Sequence, residues 1–130
     1  MNGRRTKLAE LYDRLLGDTP EIIRPATVPY PSCHSWHLYT ILIDPEKTGF
    51  TRAEFREEMR ARNIGTGLHF LAVHELSFYR ERYRPVSGFL KNSEYVAARI
   101  VSLPLFPDME EEDVVKVVEE IRDALSGRMR

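Results

Sequence analysis

One run of eight residues, WHLYTILI at residues 36–43, constrains the fold of this chain more than any other part of the sequence. Its β-branched and aromatic residues predict a β-strand. Because side chains alternate between the two faces of a strand, both faces of this one are largely apolar. A strand of that kind lies at the centre of a sheet or is covered on both sides. Asp44 and Pro45 are predicted to end it, and Thr48 and Gly49 predict a turn.

Apolar residues at helical spacing predict a helix near each end of the chain. Each set of apolar residues forms a stripe along its helix, and Gly17 follows the first stripe, as is typical of a helix end. A further helix start is predicted at Thr51, because Glu54 stands where it completes a capping box. Phe50 and Phe55 occupy the two positions of a hydrophobic staple around that start. The two stripes consist of Leu8, Leu11, Tyr12, Leu15 and Leu16, and of Val114, Val117, Val118, Ile121 and Leu125.

Two further strands are predicted, at residues 64–70 and 100–105, and Pro104 indicates an edge position or an early end for the second. A helical turn or two is predicted at 74–84, followed by a loop through residues 85–88. Ser93 is a candidate N-cap for a short helix at 94–99. The predicted order of elements is therefore α-β-α-β-α-β-α. Three strands with several amphipathic helices indicate an α+β fold.

A chain of 130 residues is most economically a single domain. Residues 20–32 contain Pro20, Pro25, Pro29 and Pro31, which predict a stiff, extended connector running across the surface of a larger body. We therefore distinguish a helix and connector at 1–33 from an α+β core at 34–130.

Charge and composition exclude several classes of protein. Nineteen basic and twenty acidic residues leave a formal charge of −1, so no general field favours nucleic acid or an anionic membrane. No stretch approaches the roughly 18 apolar residues of a membrane span, and the N-terminus lacks the apolar segment of a secretory signal. The single cysteine, Cys33, cannot form an internal disulfide, which fits a reducing compartment. We expect a soluble, cytoplasmic protein that binds neither nucleic acid nor membrane.

Four histidines are the natural candidates for chemistry. His34 and His37 lie three residues apart beside Cys33, but residues at that spacing in an extended segment point to opposite faces. His69 and His74 are five apart, which does not place them on one helical face. We therefore predict no metal site. For His37 we expect a strand residue bonded to a neighbouring backbone.

His69 differs from the other histidines because it follows Gly65, Thr66 and Gly67 at the end of a predicted strand. Small residues there let the backbone approach a ligand or another chain. An imidazole at that position could donate a hydrogen bond to a phosphate, a hydroxyl or a keto oxygen. Spacing alone leaves a purely structural role for His69 open.

Three segments, GTGLHF, VHELSFYRERY and SEYVAARIVSLPLFPDM, follow one another in this chain. Together with LAELYDRLL, the proline connector and SWHLYTILID, they resemble the C-terminal part of the DegT/DnrJ/EryC1/StrS family of nucleotide-sugar aminotransferases. The chain looks most like members that aminate 4-keto sugars, such as the UDP-4-amino-4-deoxyarabinose aminotransferase of lipid A modification. The resemblance implies the small C-terminal domain of a fold type I aminotransferase that dimerises and builds each active site from two subunits.

The implied reaction transfers an amino group from glutamate to a nucleotide-linked keto sugar, for cell-envelope polysaccharide or lipid A modification. In this family pyridoxal 5′-phosphate (PLP) is held by a large domain whose lysine forms a Schiff base with the cofactor. The lysines of this chain match no lysine motif of the family. We therefore expect no catalytic or cofactor-binding residue in the chain and no activity without a separately encoded large domain. The lysines are Lys7, Lys47, Lys91 and Lys116.

The resemblance also suggests substrate-binding residues. His69 matches the family histidine on the sugar-binding side of the active site, and Phe70 accompanies it. His74 and Tyr79 match positions that lie nearby. Leu71 departs from the arginine expected in the lipid A enzymes, so the identity of the sugar stays open.

A second departure from the family concerns the start of the last helix. Glu110 stands where many members have a capping threonine. We expect Asp108 to cap the helix instead, with Glu111 at the N3 position.

Two hypotheses follow for the whole chain. In the first, it is the small domain of a PLP-dependent sugar aminotransferase that acts with a large domain and binds a nucleotide sugar. In the second, it is a non-catalytic truncated or binding protein, a homo-oligomer that self-associates through the former inter-domain face. The two-sided apolar strand and the apolar connector favour a surface that meets a partner.

Overall fold

The structure, a computed structural model, describes residues 2–83 and 90–128. Three strands, β1 (Ile22–Ile23), β2 (Tyr39–Ile43) and β3 (Ile100–Leu103), form an antiparallel sheet in that order. The predicted α+β class, with a three-stranded sheet and flanking helices, is confirmed. The helices are α1 (Asn2–Leu15), α2 (Pro45–Thr48), α3 (Arg52–Ala61), α4 (Ser77–Tyr83), α5 (Lys91–Ala97) and α6 (Glu111–Arg128), with 3-10 turns at Leu16–Asp18 and Val73–Glu75.

Strand β2 is the central strand, as its two-sided apolar pattern predicts. Ile43 pairs with Ile22 on one side, and Tyr39 pairs with Leu103 on the other. Alternate residues of β2, from Tyr39 through Ile41 to Ile43, are fully buried, whereas Thr40 between them is half-buried. One face of the sheet therefore packs on the hydrophobic core, and the opposite face is only partly covered by the described residues.

The core lies between the sheet and the helices. α1 packs along α6, and α3 packs against both α6 and β3. Burial of large apolar side chains is the main favourable term in such a core. Its largest fully buried side chains are Tyr12, Leu16, Tyr39, Ile41, Ile43, Phe55, Met59, Met109 and Ile121.

The start of α3 has the predicted capping box. The Glu54 amide donates to Thr51 Oγ1 at 3.3 Å, and the Thr51 amide donates to Glu54 Oε2 at 2.8 Å. The rings of Phe50 and Phe55 lie 6.3 Å apart in an edge-to-face arrangement, which confirms the staple. The two hydrogen bonds of the box pair the amides of Thr51 and Glu54, at a helix end where backbone donors otherwise lack partners.

The predicted strand at residues 64–70 is wrong. This segment pairs with β3 only through one isolated bridge, between Gly67 and Ser102. Left-handed backbone angles at Asn63 (φ 61°) and Phe70 (φ 60°) bracket the segment, and a strand cannot continue through them. The strand that completes the three-stranded sheet is instead β1, which lies within the predicted connector at residues 20–32. The element order is consequently α-β-β-α-α-α-α-β-α rather than the predicted α-β-α-β-α-β-α.

Other element ends also differ from the predictions. β2 begins at Tyr39 rather than at residue 36, because Trp36 has a φ of 46° and interrupts the extended chain. β3 ends at Leu103, directly before Pro104, which agrees with the prediction that Pro104 would end this strand early. Helix α5 begins at Lys91 without a side-chain cap, so the Ser93 cap is wrong. The loop predicted at residues 85–88 lies outside the described residues.

The last helix begins differently from the prediction as well. α6 starts at Glu111, so Glu111 is its first residue and not the N3 residue. Asp113 occupies N3, and its Oδ2 accepts a hydrogen bond from the Glu110 amide at 2.9 Å. An acidic side chain in this position also interacts favourably with the helix dipole. Across the described residues, no helix combines the length and apolar character needed to span a membrane.

Candidate functional site

A cavity of about 740 Å³ opens on the sheet face that the core leaves partly uncovered. Directly paired residues of an antiparallel sheet share a face, so Ser102 lies on the same side as Thr40, away from Ile41 and Val101. Ile100 shares that side and lines the cavity. The described lining consists of His69, Phe70, Leu71, Ala72, Val73, His74, Tyr79, Tyr83, Leu90, Asn92, Ser93, Val96, Ala97 and Ile100.

All four predicted substrate-binding residues, His69, Phe70, His74 and Tyr79, line this one cavity. The described lining is mostly apolar, with a few polar groups and no carboxylate, lysine or arginine. Pockets that bind small molecules commonly combine an apolar wall with a few orienting polar groups. The cavity can therefore hold a ring-sized ligand against apolar side chains and orient it through the imidazole, amide and hydroxyl groups.

A residue of β3, Ser102, contacts the His69 ring. The Nδ1 atom of His69 lies 2.6 Å from the Ser102 hydroxyl, which is close enough for a strong neutral hydrogen bond. The backbone of Gly67 pairs with Ser102 in both directions, with N–O distances of 2.8 and 3.0 Å. Ser102 is only 4% exposed, so the His69 ring covers a buried hydroxyl. Burial of that hydroxyl is tolerated because it has this partner.

A side chain at position 67 would crowd this arrangement and require its neighbours to shift by a few tenths of an ångström. A Cβ atom on Gly67 would lie 3.0 Å from His69 Cε1 and 3.3 Å from Ser102 Cβ. The glycine that sequence analysis linked to close backbone approach thus approaches β3 and the His69 ring. Its role is steric, since its backbone angles are not left-handed.

Phe70 has the strained backbone of the site. Its φ of 60° is uncommon for an aromatic residue, and its side chain is 85% exposed. Left-handed angles at such residues cost on the order of 1–3 kcal/mol and cluster at functional sites. The Phe70 ring lies edge-on to His69 with centroids 6.3 Å apart. The strain therefore turns an apolar ring to the cavity mouth rather than into the core.

His74 and Tyr79 reach the cavity from the next segment. His74 lies in the 3-10 turn Val73–Glu75, and Tyr79 is the third residue of α4. Tyr79 stacks on Tyr83 with ring centroids 6.1 Å apart and meets Phe78 edge-on at 5.3 Å. The rings of Tyr79 and Tyr83 form one wall of the cavity, while α5 supplies Asn92 and Ser93 on another.

Sequence analysis missed Ser102 as a site residue. The residue is a lone hydroxyl between the buried apolar residues Val101 and Leu103. That pattern indicates a buried polar group in need of a partner. The partner itself could not be read from the sequence, because His69 is 33 residues away.

The other histidines lie elsewhere. His34 Nδ1 accepts a hydrogen bond from the Trp36 amide at 2.9 Å, and the two rings are 4.2 Å apart. His37 precedes β2 and is exposed, so its predicted place within the strand is wrong. Cys33 is also exposed. Within residues 2–83 and 90–128, no three His, Cys, Asp or Glu side chains are grouped so that they could hold a metal ion.

Within residues 2–83 and 90–128, the side chains do not fit PLP as a bound cofactor. All four lysines lie among the described residues, are exposed, and stand outside the lining of the cavity. Lys7 lies in a separate groove between α1 and the start of α6, beside Glu110 and Glu111. Arg4 also lines this groove, where it pairs with Glu110 at 2.7 Å, so the two cationic side chains face two carboxylates rather than an open anion site. The cavity also lacks a described cationic side chain for the phosphate group.

The fold and the ordered motifs define a class of protein. The DegT/DnrJ/EryC1/StrS aminotransferase family matches residues 1–122 of this chain. The chain belongs to that family.

Solved structures support the same relationship. S. venezuelae DesV, in complex with a ketimine intermediate, is similar with 32% identity and a TM-score of 0.83 over 95% of this chain. DesI, studied in the presence of its TDP-sugar product, has 27% identity and a TM-score of 0.84 over 99% of it. PseC of Helicobacter pylori has 21% identity and a TM-score of 0.82 over 96%, which shows the fold alone. This chain covers 32%, 32% and 33% of those three chains, respectively.

Proposed function

We propose that this chain forms the C-terminal small domain, residues 1–130, of a PLP-dependent aminotransferase that acts on a nucleotide-linked keto sugar. The amino group comes from glutamate in this proposal. One observation carries it: the four residues matched to the sugar side of the family's active site, His69, Phe70, His74 and Tyr79, line one cavity. The family match and the TDP-sugar product named for DesI support a nucleotide sugar as the ligand.

The catalytic lysine and PLP come from a lysine-bearing large domain, for which we propose a separately encoded partner. The poor fit of PLP to the residues of this chain supports that division. The contribution of this chain is then to bind and orient the sugar. The imidazole of His69 donates to a sugar oxygen, and the aromatic rings of Phe70 and Tyr79 exclude water from the sugar face.

A first prediction concerns the isolated chain. We expect PLP to produce no stoichiometric, saturable absorbance band that borohydride reduces, because none of the four lysines, all of them among the described residues, lines the cavity. Surface lysines are expected to react weakly and without saturation. Titration by absorbance, followed by mass spectrometry of the reduced protein, measures both. One equivalent of PLP on a single lysine would show that the isolated chain holds the cofactor.

A second prediction concerns His69. We expect His69→Ala to lower glutamate-dependent amination about tenfold to a hundredfold when the chain is combined with its large domain. Loss of one hydrogen bond that leaves a buried partner unsatisfied costs roughly 1–3 kcal/mol, which corresponds to that range. The assay follows the amino sugar by mass spectrometry, with a nucleotide-linked 4-keto sugar as substrate.

His37→Ala is the matched control for His69→Ala, because His37 is exposed and lies outside the described lining of the cavity. It is expected to leave amination unchanged. Equal rates for wild type and His69→Ala would remove His69 from the sugar site.

The second candidate function is a non-catalytic protein that self-associates. The exposed rings of Phe70, Phe78 and Tyr83 support it, since apolar patches on a soluble chain mark surfaces that meet a partner. The two candidate functions predict different results when the chain is combined with a large domain. Amination with a large domain supports the enzyme, whereas self-association of the chain, with no amination in any pairing, supports the binding protein.

A further inference from the structure

We propose that Ser102 is a positioning residue that holds the His69 imidazole in the tautomer protonated at Nε2. The ring then presents an N–H donor to the cavity. The proposal starts from the 2.6 Å contact between the Ser102 hydroxyl and His69 Nδ1, and from the place of both residues on the partly covered face of the sheet. The tautomer of a histidine is set by the hydrogen bond that its other nitrogen makes.

The burial of Ser102 decides which atom donates in that contact. A hydroxyl has one proton to donate, and the Ser102 hydroxyl has no second hydrogen-bond partner among the described residues. If Nδ1 carried the proton, the hydroxyl proton of a 4% exposed residue would have no acceptor. A buried unsatisfied donor is costly. The hydroxyl therefore donates to Nδ1, and the ring proton resides on Nε2.

The backbone prevents the pair from separating. Gly67 and Ser102 exchange two backbone hydrogen bonds at 2.8 and 3.0 Å, so the start of the His69 segment is fixed to β3. The absence of a side chain on Gly67 lets the His69 ring lie against that bridge. Since Nδ1 faces Ser102, Nε2 is the ring nitrogen that remains for a ligand in the cavity that His69 lines.

This tautomer limits the kind of ligand atom that can form a hydrogen bond with His69. A protonated Nε2 pairs with an acceptor, and a keto oxygen can only accept. The Ser102–His69 pair is therefore suited to the oxygen of a keto sugar. This last step rests on the proposed function, whereas the tautomer itself depends only on the structure of this chain.

The tautomer is measured directly on the whole chain. Long-range ¹H–¹⁵N correlation spectra of ¹⁵N-histidine-labelled protein, at about pH 8.5, distinguish protonated from unprotonated ring nitrogens, since ordinary histidines are neutral about two units above 6.5. We expect His69 to show an unprotonated Nδ1 and a protonated Nε2 in a single state. His37, which is exposed, provides the mixed tautomer population of an unrestrained ring. A nuclear Overhauser contact from His69 Hε1 to Gly67 Hα is also expected.

Three variants separate a positioning role from a structural one. Ser102→Ala is expected to raise the Nδ1-protonated population of His69 from near zero to that of His37, and Ser102→Thr, which keeps the hydroxyl, to restore the single tautomer. Thr40→Val removes a hydroxyl from the residue paired with Ser102 and is expected to leave the His69 spectrum unchanged. Circular dichroism verifies that each variant is folded.

A wild-type His69 with a protonated Nδ1, or with the mixed population of His37, would overturn the proposal without any variant. An unchanged His69 spectrum in folded Ser102→Ala would also overturn it. These failures leave the proposed function standing, because that function is tested by amination in His69→Ala. Conversely, unchanged amination in His69→Ala would remove the sugar-binding role and leave the tautomer intact.

Discussion

Phe55→Ala is expected to lower the free energy of unfolding by about 3–5 kcal/mol, the range for removing a buried aromatic side chain. Phe55 is 0% exposed and lies in the first turns of α3, where its ring meets Phe50 edge-on. Its removal leaves a cavity in the hydrophobic core to which it belongs and also disrupts the staple at the start of α3. Because domains of this size have roughly 5–15 kcal/mol in total, such a loss is a large part of the stability.

Urea denaturation followed by circular dichroism measures the effect as a lower midpoint at an unchanged slope. Phe78→Ala is the matched control, since Phe78 is 62% exposed on α4. It is expected to change the free energy of unfolding by no more than about 0.5 kcal/mol, as substitutions on the surface usually do. A loss below about 1 kcal/mol in Phe55→Ala would show that the core is not organised around α3.

Local features of the fold were readable from the sequence because their physics is local. The capping box of Thr51 and Glu54 spans three residues, and both of its hydrogen bonds form as predicted. The central position of β2 was also readable, since two apolar faces exclude an exposed edge. The family motifs led to the candidate residues because they carry information that spacing alone does not.

Non-local features were not readable in the same way. Strand β1 consists of two isoleucines within a proline-rich segment, and only pairing with β2 makes it a strand. Residues 64–70 have strand-like composition, but the left-handed angles at Asn63 and Phe70 limit their pairing to the bridge at Gly67. The contact between His69 and Ser102 depends on that bridge. A sequence pattern could therefore suggest His69 but not the residue that orients it.

A buried pair of tyrosines couples the stability of the core to pH. The Tyr39 hydroxyl donates to Asp13 Oδ1 at 2.5 Å, and the Tyr39 ring stacks on Tyr12 with centroids 4.8 Å apart. Burial, and then the hydrogen bond to Asp13, raise the pKa of Tyr39 well above the ordinary tyrosine value. Burial and the charge of Asp113 raise the pKa of Tyr12 in the same direction. Both hydroxyls therefore keep their protons in the folded chain at pH values where an unfolded chain loses them.

The sign of the pH dependence follows from that difference. Above the ordinary tyrosine pKa of about 10, the folded state binds more protons than the unfolded state, so the free energy of unfolding falls as the pH rises. Each of the two tyrosines contributes about 1.4 kcal/mol per pH unit to that fall. Their stabilising contribution is fully present below pH 10 and is lost as the pH rises toward their folded pKa values.

Tyr39→Phe is expected to remove one of these contributions. At pH 7 the variant loses a hydrogen bond to a charged group and is less stable by about 1.5–3 kcal/mol. Above pH 10 its free energy of unfolding falls less steeply than that of the wild type, by about 1.4 kcal/mol per pH unit, so the gap between the two narrows. Urea denaturation at half-unit intervals from pH 7 to about pH 11 measures both curves. Tyr30→Phe, at a residue that is 64% exposed, is expected to follow the wild type throughout. A constant gap between Tyr39→Phe and the wild type would mean that Tyr39 loses its proton in the folded chain as readily as in the unfolded one.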